Sequence, residues 1–546
     1  MEKRLLIAIV LSFVILFVYQ AVFVKKEPPP DQAPQTVGEK TRMPEQKSIP
    51  EEQPPPEEKP ADVTFEATEA TQERDVVVDT SLFRAVWSNK GAQLKSWKLR
   101  EHLDENDEPL ELISNRSADI NRYPFRLSTD DPDFDSMINS ALYTASKRNL
   151  SLSDGQTGDI RFAYAQDDGT KVEKIFTFRD GKYTVDVQIT VWKNGQRVEP
   201  RLIWGPGLGN LSPSEQKNRI GIQSGVSVSA AGRVDHHDER KYKPERSAYN
   251  FVNWAAYVDQ YFAAMFFTDP QRSSALFLKE SIEDIPYFFL SVSLPQKAYI
   301  GPKEFDRLVE LGNGAKGVIR FGLFGFISEI LFRAMKAVHN TIPNWGLCII
   351  IITLVVKIIF FPLTYSSTRS MAKMQELQPK IKALRSKYKK AKQDINQRRK
   401  MNEETMKLYK EHGVNPAGGC LPILIQLPIF WGFFRLLMVS IEFRHSPFIF
   451  WIKDLSVKDP IYVTPILMGI TQYISQKMTP TSADPTQQKM MLIMPVIMTI
   501  FFMNFSSGLV LYWLTNNVLQ IAQQYIMNRI QKKKKQKSQT HGKRRK

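Results

Sequence analysis

The chain is 546 residues long and 42% hydrophobic, with a formal net charge of +17 and a mean hydropathy of −0.30. That length allows more than one domain. Its two cysteines, Cys348 and Cys420, leave everything before Cys348 without a disulfide framework or a Cys metal site. The positive charge is local: 14 Lys/Arg face 5 acids between Arg369 and Glu411, and 10 Lys/Arg with no acid fill Arg529–Lys546.

Residues 1–24 open with Glu2, Lys3 and Arg4 and continue as an apolar stretch from Leu5 to Val24. About 20 apolar residues are enough to span a bilayer, and no small-x-small cleavage site follows, so the segment is expected to be an uncleaved signal anchor. Residues 25–62 hold two Pro-Pro-Pro runs among Glu, Gln and Lys, the composition of a disordered tether. From 63 to 320 short strands alternate with Gly, Asn and Asp turns, as in Lys182–Trp192 and Val76–Trp87. This pattern predicts an all-β sandwich.

Residues 321–343 place Leu323, Phe326, Ile327, Ile330, Leu331, Ala334 and Val338 on one helical face. The expectation is an amphipathic helix on a membrane surface, the other reading being a helix of the soluble domain. Apolar spans are then expected at about Trp345–Tyr365 (domain 344–366), Cys420–Ile441, Ile461–Met478, Met490–Phe505 and Leu509–Met527 (domain 416–528). With the anchor these make six transmembrane helices. Lys/Arg-rich flanks favour the cytoplasm, which puts both termini there and the β domain in the periplasm.

The basic segment 367–415 predicts a cytoplasmic helical hairpin. One helix carries Met371, Met374, Leu377, Ile381, Leu384 and Tyr388, and the second Ile395, Met406 and Tyr409. Its cations, among them Lys387, Lys389 and Lys390, and Lys532, Lys533, Lys534 and Lys535 of the 529–546 tail, are either a solvated face or contacts for phosphate-rich partners. Anionic lipid and ribosomal RNA both qualify.

Catalytic motifs are weak. His236-His237-Asp238 lacks a spaced third ligand, and Gly205–Gly209 lacks the Lys-Ser/Thr of a phosphate loop. The sequence implies no enzyme and no cofactor. Lys357 is different, because it lies about midway along Trp345–Tyr365. A charge at that depth costs about 2.5–3.5 kcal/mol and normally faces a polar cavity. Snorkelling is the plain alternative. Thr353, Gln426, Thr515, Asn516, Asn517 and Gln520 could line a wet cleft with it. Arg435 either joins them or pairs with Glu442.

Asn415-Pro-Ala-Gly-Gly-Cys-Leu-Pro-Ile-Leu-Ile-Gln-Leu-Pro-Ile-Phe430 resembles the entry to the third span of the YidC-type membrane protein insertases. Ser370-Met-Ala-Lys-Met, Trp451 to Pro460, Asp484 to Lys489 and Gly508-Leu-Val-Leu-Tyr512 add to the likeness, in family order. The anchor and large β domain resemble the Gram-negative form. The resemblance implies a five-helix core in the inner membrane around a hydrophilic groove, with Lys357 where the family usually has Arg. Thr353, Gln426, Phe430, Tyr512, Trp513 and Asn516 would also face that groove. It further implies insertion and chaperoning of nascent membrane proteins without nucleotide hydrolysis, alone or with the Sec translocon and its accessory subunits. Ribosome and signal-recognition machinery would meet the hairpin and tail. A secondary transporter would also have midplane polar residues, but would usually add repeats and coupling carboxylates. A tethered periplasmic scaffold would explain the β domain and leave Lys357 unexplained.

Overall fold

A computed structural model of the chain describes residues 70–104, 106–209, 224–388, 394–413, 421–479 and 485–543. The expected anchor 1–24 and linker 25–62 lie outside them, as do Lys389, Lys390 and Cys420.

The first half is β-rich, as its turn-punctuated pattern predicts. A 10-stranded sheet is faced by two 5-stranded sheets. Phe125, next to a strand of one small sheet, meets Phe176 and Phe266 of the large sheet at 5.3 and 6.0 Å between ring centroids. Trp87 of the other small sheet stacks on Phe176 at 4.2 Å. One aromatic core thus joins all three sheets. The central strand Phe262–Thr268 (FAAMFFT) is buried at every position, as a strand covered on both faces must be. Lys174 reaches into this core and donates to the carbonyls of Gly91, Ala92 and Phe125 at 2.6, 3.3 and 2.8 Å, which satisfies all three of its donors. The predicted strand Val76–Trp87 is instead a hairpin, Asp75–Asp79 with Phe83–Ser88. Thr80 turns the chain there, its N–H and hydroxyl both donating to the Phe83 carbonyl. Two short helices, α1 (Asn115–Asp119) and α2 (Pro132–Ser140), interrupt the strands, so the domain is not purely β.

The second half is helical. α3 (Phe305–Glu310) leads to α4 (Gly325–His339), the expected amphipathic helix. It has two apolar faces rather than one. Leu331, Phe332 and Met335 are buried, while Leu323, Phe326 and Ile330 remain exposed. Ser328 anchors the inner face by donating to the Gly432 carbonyl at 3.0 Å.

The expected span 344–366 is not one helix. α5 (Trp345–Ile359) ends at Phe360, and α6 (Phe361–Glu376) leaves it at 60°. Pro362, in the first turn of α6, has no N–H to continue the ladder. α7 (Gln378–Lys387) and α8 (Ile395–Glu411) complete the basic segment, so three helices stand where two were expected. Met371, Met374, Leu377 and Ile381 do form an apolar seam, against Leu408 and Tyr409. Ile395 and Met406 are exposed instead, because α8 turns Leu408 rather than Met406 toward that seam.

α9 (Leu421–Val439), α10 (Val463–Met478), α11 (Pro485–Phe502) and α12 (Ser507–Lys543) follow. Among the described residues no single helix is long and apolar enough to cross a membrane; the bent pair α5–α6 passes only as a pair. Ser507 closes the turn between α11 and α12, its N–H and hydroxyl both donating to the Val457 carbonyl at 2.7 and 2.8 Å. α12 carries the chain through 37 residues without a break. The tail expected from 529 is therefore a continuation of the last helix as far as Lys543.

The β domain rests on the end of α9. Gln260 donates to the Met438 carbonyl at 2.7 Å, and Arg444 to the Leu103 carbonyl at 2.7 Å. Glu442 accepts the Phe305 N–H at 3.1 Å. Glu442 is therefore not Arg435's partner; Arg435 donates to the Arg320 carbonyl. Burial in this seam pushes the Glu442 carboxyl up from its ordinary 4.5 to about 7. The folded state then holds a proton that the unfolded chain releases, so this contribution to stability is present below about pH 4.5 and is lost as pH rises through 7. Thermal unfolding of the full chain in detergent at pH 5 and pH 8 should show the loss, on the order of 2 kcal/mol, and Glu442→Gln should remove that part of the difference. A pH dependence identical in the variant would contradict this reading of Glu442.

Candidate functional site

Three helices bring their polar residues together by the same spacing, four residues apart on one face. α5 offers Thr353 and Lys357, α9 offers Gln426 and Phe430, and α12 offers Tyr512, Asn516 and Gln520. Thr353, Lys357, Gln426, Tyr512 and Asn516 line one small cavity of ≈ 30 Å³, closed on its other sides by Val356, Phe360, Leu363, Thr364 and Ile429. Where the sequence predicts a wet cleft, the structure has a small cavity with room for about one water molecule.

Inside it the amides pair with what they can reach. Lys357 Nζ donates to Gln520 Oε1 at 2.9 Å, and Gln426 Nε2 donates to Asn516 Oδ1 at 3.1 Å. Among the described residues no carboxylate forms an ion pair with Lys357. The lysine stands in the last turn of α5, three residues before the bend at Phe360, rather than midway along a continuous span. Thr353 donates its hydroxyl back to the Ile349 carbonyl at 2.6 Å, which leaves the oxygen only as an acceptor toward the cavity.

Of the expected aromatic residues Tyr512 lines the cavity, while Phe430 and Trp513 pack behind it. Phe430 meets Trp513 edge-on at 4.9 Å and Tyr512 at 6.3 Å, and Tyr512 stacks on Phe433 at 4.4 Å. Trp513 Nε1 donates to Gln472 of α10 at 3.1 Å, a partner that sequence reasoning missed; an isolated Gln within an apolar run was the signal. Asn517 ties α12 to α10 through the Met468 carbonyl at 3.2 Å. Arg435 does not belong to this cavity. The far side of the same helices is apolar: Val355, Ile358 and Ile359 on α5, Ile466, Ile470 and Ile474 on α10, and Val496, Ile497 and Ile500 on α11 are all exposed. Exposed apolar surface on that scale marks contact with lipid or protein.

The basic sites are less concentrated. Lys387 forms an ion pair with Glu404 at 3.2 Å, beside a Tyr388–Glu404 hydrogen bond of 2.8 Å, so it closes the α7–α8 pair. Lys532, Lys533, Lys534 and Lys535 lie within α12. His236 and His237 sit on a strand, Arg233–Asp238, where Ser227 meets His236 Nδ1 at 2.8 Å. Among the described residues no His/Cys/Asp/Glu group could hold a metal ion.

The family described as 60Kd inner membrane protein matches residues 337–536, and that described as the YidC periplasmic domain matches residues 75–334. The membrane protein insertase YidC of Syntrophus aciditrophicus is 37% identical over 563 residues, covering 97% of this chain and 100% of that one. The chain belongs to the YidC family of membrane protein insertases. YidC of Citrifermentans bemidjiense is 38% identical over 547 residues, with 97% and 99% covered. A crystal structure of an active YidC insertase with its first transmembrane domain resolved is 21% identical, covers 83% of this chain and 93% of that chain, and has a TM-score of 0.35. YidC membership makes this an inner-membrane protein with a periplasmic domain and a non-enzymatic function.

The Lys357–Gln520 bond can be isolated by a double-mutant cycle. Lys357→Met and Gln520→Leu should each lower unfolding stability in detergent, and the double variant should lose less than their sum. The coupling should be about 0.6–2 kcal/mol. Additive losses would mean that the two side chains act independently.

Proposed function

We propose that this chain inserts nascent membrane proteins by receiving a short acidic or polar client segment at Lys357. The observation that supports it is an ammonium held in a cavity by a neutral amide. The Lys357–Gln520 bond carries charge on one partner only, so a client carboxylate adds a Coulomb attraction that the neutral amide lacks and displaces Gln520 favourably. The cavity is too small to admit a peptide as it stands, and entry requires α5, α9 and α12 to part. The amide pairs Lys357–Gln520 and Gln426–Asn516 are the bonds exchanged in that step. Once the polar segment is seated, the client's apolar helix follows the exposed faces of α5, α10 and α11 into lipid, each buried CH₂ contributing about 0.8 kcal/mol. No nucleotide enters this scheme.

In this reading the chain crosses the inner membrane six times with both termini in the cytoplasm, and α5–α6 form one crossing bent at its cytoplasmic end. The α6–α8 segment and the end of α12 would receive ribosomes or targeting factors, and anionic lipid would meet the same cations. Cooperation with the Sec translocon is part of the same proposal, supported by the family alone.

Reconstitution into protein-free lipid vesicles tests the core of it. A two-span client with a short acidic loop is supplied, and protease protection of the loop is measured. Lys357→Ala should lower protection about tenfold, Lys357→Arg should retain it, and Lys357→Glu should favour a client with a basic loop. Equal protection by all variants would reduce Lys357 to a snorkelling residue. No protection above empty vesicles would end the proposal of autonomous insertion.

A further inference from the structure

A second and larger cavity, ≈ 690 Å³, lies where the β domain meets α4 and α9. Its wall carries Lys316, Arg320 and Arg435 together with Asp238 and Glu329. Both carboxylates are engaged. Asp238 accepts from Arg320 at 2.6 Å, and Glu329 accepts from Lys316 at 3.0 Å and from Arg333 at 2.7 Å. Arg435 makes no ion pair among the described residues; its Nη2 donates to the Arg320 carbonyl. Its Nε is buried without a partner, and so is the Nε of Arg320.

Two buried guanidinium N–H donors without a protein acceptor call for an oxygen from outside the protein, and an anion supplies the stronger bond. The backbone makes room for one. Gly322 holds φ +77°, and a Cβ there would stand 3.4 Å from Arg435 Nε. α4 begins at the same place with no side-chain cap, so its first N–H groups add to the positive potential.

The surroundings indicate which anion. Gly322, Gly325 and Glu329 line the cavity. Beside them stand Phe326 and Ile330 of α4 and Leu323 of the turn that precedes it, which are 78%, 50% and 73% exposed. A charged pocket thus opens beside an apolar shoulder on a helix of the interfacial type. A free phosphate would use only the pocket, whereas a phospholipid would use both. We propose that this junction binds an anionic phospholipid, its phosphate at Arg435 and Arg320 and its acyl chains on Leu323, Phe326 and Ile330. The lipid would fill the seam between the β domain and the helices, on the opposite end of α9 from the Gln426 cavity.

The test uses the full-length protein in detergent, with retained lipid counted by native mass spectrometry. Phosphatidylglycerol, phosphatidylcholine and inorganic phosphate are the probes. Phosphatidylglycerol should be retained over phosphatidylcholine, and Arg435→Gln should reduce that preference about tenfold. Phe326→Ser should weaken both lipids and leave their ratio unchanged. Inorganic phosphate should not displace the lipid. If Arg435→Gln does not fold, Lys316→Gln removes a charge from the same wall and should lower the preference likewise. Equal retention of the two lipids, or an unchanged preference in the charge variants, overturns the proposal. Full displacement by inorganic phosphate with no effect of Phe326→Ser replaces it with a free-anion site.

Discussion

The helical half depends on one constraint: a polar group among apolar helices must find a partner within the protein. Lys357 imposes it most strongly. Its ammonium cannot be left bare, and among the described residues no carboxylate pairs with it, so Gln520 supplies an oxygen from α12. That bond fixes the rotation of α5 against α12, and Gln426 with Asn516 does the same for α9. Trp513 and Asn517 then attach α10 through Gln472 and the Met468 carbonyl. The four helices are joined through amide and carbonyl oxygens, with no ion pair among these contacts. Such an assembly holds its shape while remaining able to open, which a set of buried ion pairs would resist.

Much of this was legible in the sequence, and for physical reasons. Polar residues standing in apolar spans marked Thr353, Gln426, Asn516 and Gln520 as company for Lys357, and the short alternating strands announced the β domain. Failures occurred where one residue overrode a pattern. Hydropathy runs smoothly from Trp345 to Tyr365, yet Pro362 ends the ladder and moves Lys357 from the middle of a span to the last turn of a helix. Thr80 splits a run that alternates as one strand. Arg435 and Glu442, seven residues apart on a helix, looked like partners. The β domain claims both first, through the Arg320 carbonyl and the Phe305 N–H. Contacts between segments a hundred residues apart leave no periodic trace.

The junction also changes the meaning of α4. It carries two apolar faces: Leu331, Phe332 and Met335 are buried, while Phe326 and Ile330, with Leu323 of the preceding turn, are exposed. Its Lys336 pairs with Asp306 and its Glu329 with Lys316 around the seam. The helix is thereby a spacer of fixed height between the β domain and the helices that carry the cavity.

The unbroken run of α12 has a mechanical consequence. Its 37 residues make a rod of roughly 55 Å at helical rise, well beyond the roughly 30 Å of a hydrocarbon layer. Tyr512, Asn516 and Gln520 occupy one end and the lysine-rich stretch the other. A helix is stiff in torsion over such a distance, so a partner gripping the basic end would hold a lever. A twist applied there would turn Gln520 relative to Lys357 and strain the bond between them.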